Sequence, residues 1–290
     1  MRRVIFRLNG GLGNQLSQIA AALDYQNKSG IIVEFDSYYL EKSKKTHEKL
    51  RAIELCRPLL NLNYAGCKVS RFINRILYKL GLKNRAFLGY KFFFDEYPLT
   101  SDLEDGVFIV VEGFWQHSRF YTDQSKEKIS AWISSTDNNC PAEVLENVAD
   151  EESCAIHIRR GDYLTNRHLF RKQQLVLPIS YYCNAIETLC RSISIKKVYI
   201  FSDDKLNDDF DFLSSFEVIE ISTLGLTDFE EFYLMSKARN IVIANSTFSM
   251  WAAILAKQFN QARVFAPNRW HLNRLDTQII PPEFRMISIH

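Results

Sequence analysis

The sequence predicts an α/β protein made of two Rossmann-like domains, and three observations carry that prediction. Short apolar, β-branched runs alternate with segments of helical spacing along most of the chain, a pattern that implies parallel sheets. The alternation pauses in a polar stretch over residues 123–150 and then starts again, which divides the chain into domains at 1–145 and 146–290. Polar clusters follow directly on several of the apolar runs. In doubly wound sheets that is where ligands sit, so the expected site is a central cleft between two facing domains, at the carboxyl ends of the strands.

The elements follow in order. Residues 4–8 read as a strand, 10–15 as a glycine-rich turn and 16–25 as a helix, with short strands at 31–35 and 107–111 completing the first half. In the second half, 154–158 read as a buried strand, 178–190 as a helix, 197–201 as a strand and 219–221 as a third. A helix over 228–237 has Asp228 as its expected cap. Residues 241–244 form a fully apolar strand that runs into Asn245-Ser246-Thr247 and an apolar helix.

Composition removes several classes of function. A net charge of +2 on 290 residues gives no whole-protein field that calls for nucleic acid. The six cysteines, at 56, 67, 140, 154, 183 and 190, contain no C-x-x-C pair and read as free thiols of a reducing cytosol. Met1-Arg2-Arg3 has the charge of a signal segment, yet Arg7 and the glycine run interrupt any apolar stretch after it, and nothing elsewhere approaches a membrane span. The expected location is the cytoplasm, with peripheral attachment to the inner membrane as an option. That option rests on residues 55–94, which hold no acidic residue. Lys68, Arg71, Arg75 and Lys79 share one helical face and Val69, Phe72, Ile73, Ile76, Leu77 and Leu80 the other, so 68–85 reads either as a membrane-surface helix or as an ordinary packed surface helix.

Three polar clusters are candidates for the site. In the glycine turn, a dinucleotide fingerprint needs a small residue where Leu16 stands, so nicotinamide binding is disfavoured. Gly11 and Gly13 still permit close backbone approach, and Asn14 and Gln15 add amide donors at a helix N-terminus. A plain turn with Asn14 as the cap is the alternative. The second cluster is His157-Ile-Arg-Arg-Gly-Asp-Tyr163, in which strand alternation sends His157 and Arg159 out together. Arg159 and Arg160 offer forks that match phosphate oxygens, and Asp162 either orients an arginine or accepts a proton. A solvated ion pair is the competing reading. The third cluster joins Ser202, Asp203 and Asp204 to Asn245, Ser246, Thr247 and Phe248: carboxylates for ribose or guanine, hydroxyls and N–H groups for phosphate, or else simple helix caps.

Gly10-Gly-Leu-Gly-Asn-Gln15, Gly113-Phe-Trp-Gln116, His157-Ile-Arg-Arg-Gly-Asp-Tyr163, Phe201-Ser-Asp-Asp204 and Ile243-Ala-Asn-Ser-Thr-Phe-Ser249, in that order, resemble the α-1,2-fucosyltransferases of bacterial surface-polysaccharide synthesis. The resemblance runs from residue 5 to about 270. It implies a two-domain glycosyltransferase of the GT-B type, GDP-fucose as donor, a galactose-type acceptor with a lipid-linked oligosaccharide as one option, no metal, and inversion at the anomeric carbon. It also implies that Arg159 and Arg160 bind the pyrophosphate, with His157 and Asp162 beside the donor. Two positions depart from the family pattern: Met250 stands where a tryptophan is usual, and Ser17 where phenylalanine is common. The expected mechanism sets arginines against the charge of the leaving diphosphate. Asp162, His157 and Glu112 are the candidate bases for the acceptor hydroxyl. Asp209-Phe210-Asp211 imitates a metal-binding motif but sits in an acidic loop and reads as solvated surface.

Overall fold

The computed structural model describes residues 3–37, 40, 72, 76, 86–87, 90–94, 108–120, 122–161, 163, 176–204, 208–271 and 278–289. Asp162 and, apart from Phe72 and Ile76, the basic segment 68–85 lie outside them. The chain forms two compact units, Met1–Thr136 and Asp137–His290, whose junction falls inside the polar stretch seen in the sequence.

The first unit is an α/β sheet. Strand β1 (Arg3–Arg7) leads through the glycine turn into helix α1 (Leu12–Ser29), followed by β2 (Val33–Asp36), the hairpin β3 (Ala86–Phe87) and β4 (Tyr90–Phe94), β5 (Phe108–Glu112), and helix α2 (Asp123–Ser134). Strand order is β2-β1-β5-β4-β3, parallel except for the β3–β4 hairpin. The β4 strand went unseen in the sequence, where its aromatic run was read as part of a basic region. Helix α1 begins earlier than its spacing suggests: Gly11 is its cap, so Asn14 lies in the first turn instead of capping. Gly10 is the residue that makes the turn possible. Its φ of +78° is left-handed, and a Cβ there would meet Asn14 Nδ2 at 2.6 Å.

The second unit carries α3 (Ala142–Val148), β6 (Ser153–Ile158), α4 (Ile179–Cys190), β7 (Lys197–Ser202), β8 (Glu217–Glu220), α5 (Asp228–Met235), β9 (Asn240–Val242), α6 (Thr247–Asn260), β10 (Arg263–Pro267) and β11 (Arg285–Ile287). Its six strands are all parallel, in the order β11-β10-β9-β6-β7-β8. All six residues of β6 are buried, as a central strand covered on both faces requires. Tyr181 of α4 donates its hydroxyl proton to the Ile243 carbonyl at 2.6 Å, within the same core as Cys154, Ile156 and Val198. Chain order reverses between β6 and β9: β7 and β8 are added on one side, β9 to β11 on the other. Such a switch point leaves a crevice at the carboxyl ends of the two strands, because the connections that follow them run to opposite faces of the sheet. This is the parallel α/β architecture expected of each GT-B half.

Helix α5 differs from expectation in its start. Thr227, not Asp228, is the cap: its hydroxyl accepts from the Glu230 N–H, and Glu230 returns a bond to the Thr227 N–H at 2.7 Å. Among the described residues Cys140, Cys154, Cys183 and Cys190 are free thiols. No helix among them is long and apolar enough to cross a membrane.

Candidate functional site

The residues after β6 fold around one carboxylate. Asp203, just beyond the end of β7, accepts the backbone N–H groups of Arg160 at 2.9 Å and Gly161 at 3.1 Å through Oδ1. Its Oδ2 pairs with Arg159 Nη1 at 2.8 Å. The position follows from register, since Ile158 is level with Ser202 and the two loops leave adjacent strands side by side. This arrangement explains the glycine of the motif. A Cβ on Gly161 would sit 2.6 Å from Asp203 Oδ2 and 2.9 Å from its Cγ, closer than any side chain tolerates.

Each guanidinium is further held by a ring. Arg159 lies over Tyr163 with its Cζ 5.5 Å from the ring centre, and Arg160 lies over Phe210 at 5.1 Å. Tyr163 in turn donates to the Asn245 carbonyl at 3.2 Å, which ties the loop after β6 to the loop after β9. Fixed cations of this kind lose little conformational freedom on meeting an anion, so their charge is fully expressed there.

Across the switch point stands the N-terminus of α6. Ser246 is its cap residue and makes no side-chain capping bond. A 14-residue helix directs its positive end toward the loop after β6, the geometry that suits phosphate oxygens. Asn245 contributes in a different way from that expected of it. Its side chain is buried and donates to the Trp270 carbonyl at 2.9 Å, which anchors the loop. Ser249 anchors it too, donating to the Ser246 carbonyl at 3.2 Å. Thr247 stands in the first turn, half-buried. Ser202 and Asp204 form a local turn, the Asp204 N–H donating to Ser202 Oγ at 3.2 Å.

His157 does not emerge beside Arg159 as strand alternation suggests. It is buried and stacks on Phe248 with ring centres 5.6 Å apart, and Phe248 meets Phe232 edge-on at 5.5 Å. Burial, reinforced by the Arg159 charge, lowers its pKa from 6.5 to about 3. The imidazole is therefore neutral at physiological pH and a weak base. Its Nδ1 is buried with no hydrogen-bond partner among the described residues. A folded-state pKa below the unfolded one means that the unfolded chain takes up the proton first. Stability from this group is complete above pH 6.5 and falls as pH drops from 6.5 toward 3. Urea midpoints measured from pH 7.5 to 4.5 should decline more shallowly in His157→Phe than in the unsubstituted protein. Parallel curves would contradict this assignment.

The glycine-turn residues belong to the first unit. Gln15 donates to the Gly10 carbonyl at 2.9 Å and its Oε1 is buried without a partner among the described residues. Asn14 accepts from Gln116 Nε2 at 2.8 Å. Gly11 has open space where a Cβ would stand, and the Gly13 carbonyl accepts from the Ser17 hydroxyl at 3.2 Å.

One carboxyl escaped the sequence reading. Glu231 is half-buried on α5, one residue from Phe232, and burial together with nearby Asp228 raises its pKa to about 7. Thr227-x-x-Glu230 is a capping box that uses Glu230, which leaves Glu231 without a capping role.

Comparison with known proteins places this geometry in a lineage. The model for glycosyl transferase family 11 matches residues 67–270. The O-antigen biosynthesis glycosyltransferase WbnK of Escherichia coli is 31% identical over 284 residues, covering 91% of this chain and 93% of that protein. An alpha-1,2-colitosyltransferase of Escherichia coli is 28% identical over 284 residues, covering 93% of each. Among solved structures, POFUT1 in complex with GDP-fucose aligns at a TM-score of 0.47 and 13% identity over 90% of this chain and 96% of that one. Fucosyltransferase NodZ from Bradyrhizobium aligns at 0.46 and 15% over 88% and 92%.

Proposed function

The chain belongs to glycosyl transferase family 11, and from that premise we propose that it moves L-fucose from GDP-β-L-fucose to the 2-hydroxyl of a terminal galactose-type sugar, inverting the anomeric centre and using no metal. That it is a glycosyltransferase follows from the family itself. The observation that supports the finer reading is the Asp203 clamp, which holds two arginines at the switch point opposite a helix N-terminus. As the bond from anomeric carbon to phosphate oxygen breaks, the electron pair leaves with GDP, and charge builds on the diphosphate. Arg159, Arg160 and the first-turn N–H groups at Thr247 and Phe248 offset it. The acceptor oxygen bonds to the carbon from the opposite face and gives up its proton to a base.

Asp162 is the proposed base, from its place in the Arg-Arg-Gly-Asp run; it lies outside the described residues. His157 fits a different part, because a neutral imidazole buried under Phe248 supports the strand end and offers Nδ1 to a polar group of the donor. Asp204 and Ser202 remain candidates for the nucleoside, while Asp203 acts through Arg159. The acceptor is proposed to be a surface-polysaccharide precursor, in keeping with the O-antigen role named for WbnK. The protein is proposed to work on the cytoplasmic face of the membrane, with no nucleic-acid partner.

A second reading has a specific support: the relative named as an alpha-1,2-colitosyltransferase makes GDP-colitose a competing donor. One experiment separates the two. The protein is incubated with EDTA, a β-galactoside and either GDP-fucose or GDP-colitose, and GDP release and product linkage are read by NMR. An α-1,2-fucosylated product is expected. A colitosylated product alone would establish the second reading, and GDP release from neither donor would leave only a binding protein.

A further inference from the structure

The first unit has its own switch point, between β1 and β5, where β2 is added on one side and β4 on the other. One row of charges crosses it. Register places Asp36, Arg7 and Glu112 level on β2, β1 and β5, at the carboxyl ends of all three strands. Arg7 is fully buried, 3.4 Å from Asp36 through Nε and 3.0 Å from Glu112 through Nη1. Asp36 is as buried as Arg7, whereas the Glu112 side chain keeps 28% of its surface. The row therefore ends in one anchored, accessible carboxylate.

The backbone that follows is forced. Gly113 has φ +154° and Trp115 has φ +53°, a left-handed value that a bulky residue adopts only when its surroundings impose it. The imposition is visible: Trp115 is 2% exposed and packs on Phe6 and Phe120 with ring centres 5.9 and 4.9 Å away. Phe114, between these two residues, is left 42% exposed. Strain of this kind clusters at ligand-binding positions, and here it adjoins an exposed aromatic ring.

We propose that Phe114 and Glu112 form the subsite that recognises the acceptor sugar, the ring of Phe114 lying against the apolar face of a galactose-type pyranose and the Glu112 carboxylate accepting from one of its hydroxyls. An aromatic face beside a fixed acceptor suits a sugar, which has one apolar C–H face and a rim of hydroxyl donors. The two residues are two apart in the chain, within about 7 Å at Cα, a span comparable to that of one pyranose. This inference rests on the glycosyltransferase reading and deepens it.

The test uses saturation-transfer NMR of methyl β-galactoside on the full chain with GDP present, alongside steady-state kinetics with GDP-fucose. Phe114→Ala is expected to abolish most of the transfer to the sugar ring protons and to raise the acceptor KM by roughly tenfold, with donor KM unchanged; Phe114→Tyr restores both. Unfolding temperature serves as the control, since Phe114 is a surface side chain. Equal saturation transfer on the original and Phe114→Ala proteins, or no transfer on either, would overturn the subsite. Turnover is read separately: loss of GDP release with every donor would refute the glycosyltransferase assignment, while turnover with an unaltered acceptor KM in Phe114→Ala would refute the subsite alone.

Discussion

Arg159→Ala is expected to lower kcat by about 10²–10³-fold while the protein unfolds at nearly its original temperature. The guanidinium is partly exposed and contributes little to folding, since exposed ion pairs are worth under about 1 kcal/mol. Its effect is expected in the transition state, where the departing diphosphate of the proposed donor gains charge. Arg159→Lys should recover only part of the loss. Lysine keeps the charge but not the planar fork, one nitrogen of which pairs with Asp203. Asp203→Asn is expected to fall between the two, because an amide oxygen in the place of Oδ1 still accepts the backbone N–H groups of Arg160 and Gly161 while the anchor on Arg159 at Oδ2 is lost. Steady-state kinetics with saturating donor decide this; unchanged kcat in Arg159→Ala would remove the arginine from the chemistry.

The second large effect concerns stability. Arg7→Met is expected to cost roughly 3–5 kcal/mol in urea unfolding, because it leaves the buried Asp36 carboxylate without the cation that compensates it. Most of that cost is the stranded charge and not the lost attraction. The double substitution Arg7→Met with Asp36→Asn should therefore be more stable than Arg7→Met alone, even though one more native residue is gone. Additive losses would mean that the ion row matters little to folding.

Much of this was legible in the residues. The buried strand at 153–158, the strand at 197–202 and the apolar helix after Asn245 each announced themselves through continuous apolar runs with turn residues at their ends. Clustering of the arginine motif with the Asn-Ser-Thr-Phe run was also foreseeable, since both follow central strands. The role of Asp203 was not. From sequence it read as a ligand for ribose or guanine, whereas register with β6 turns it toward the backbone of Arg160 and Gly161. Tertiary register has no local signal. His157 shows the complementary limit: alternation gives its face correctly, but only the packing of Phe248 from α6 decides that the face is covered. Strand β4 escaped notice because its neighbours in the sequence are basic, while strand identity there depends on pairing with β5. Glu112 and Phe114 were visible as residues, yet their significance comes from Arg7 beneath one and a left-handed Trp115 behind the other.

That clamped guanidinium groups at the end of β6 hold a diphosphate is tested most directly by titration calorimetry with GDP and GMP in EDTA. The original protein should bind GDP at least about tenfold more tightly than GMP, a difference near 1.4 kcal/mol that the second phosphate supplies, and Arg159→Ala with Arg160→Ala should bind both equally. Equal affinity for the two nucleotides in the original protein, or a preference for GDP that survives the loss of both arginines, would contradict it.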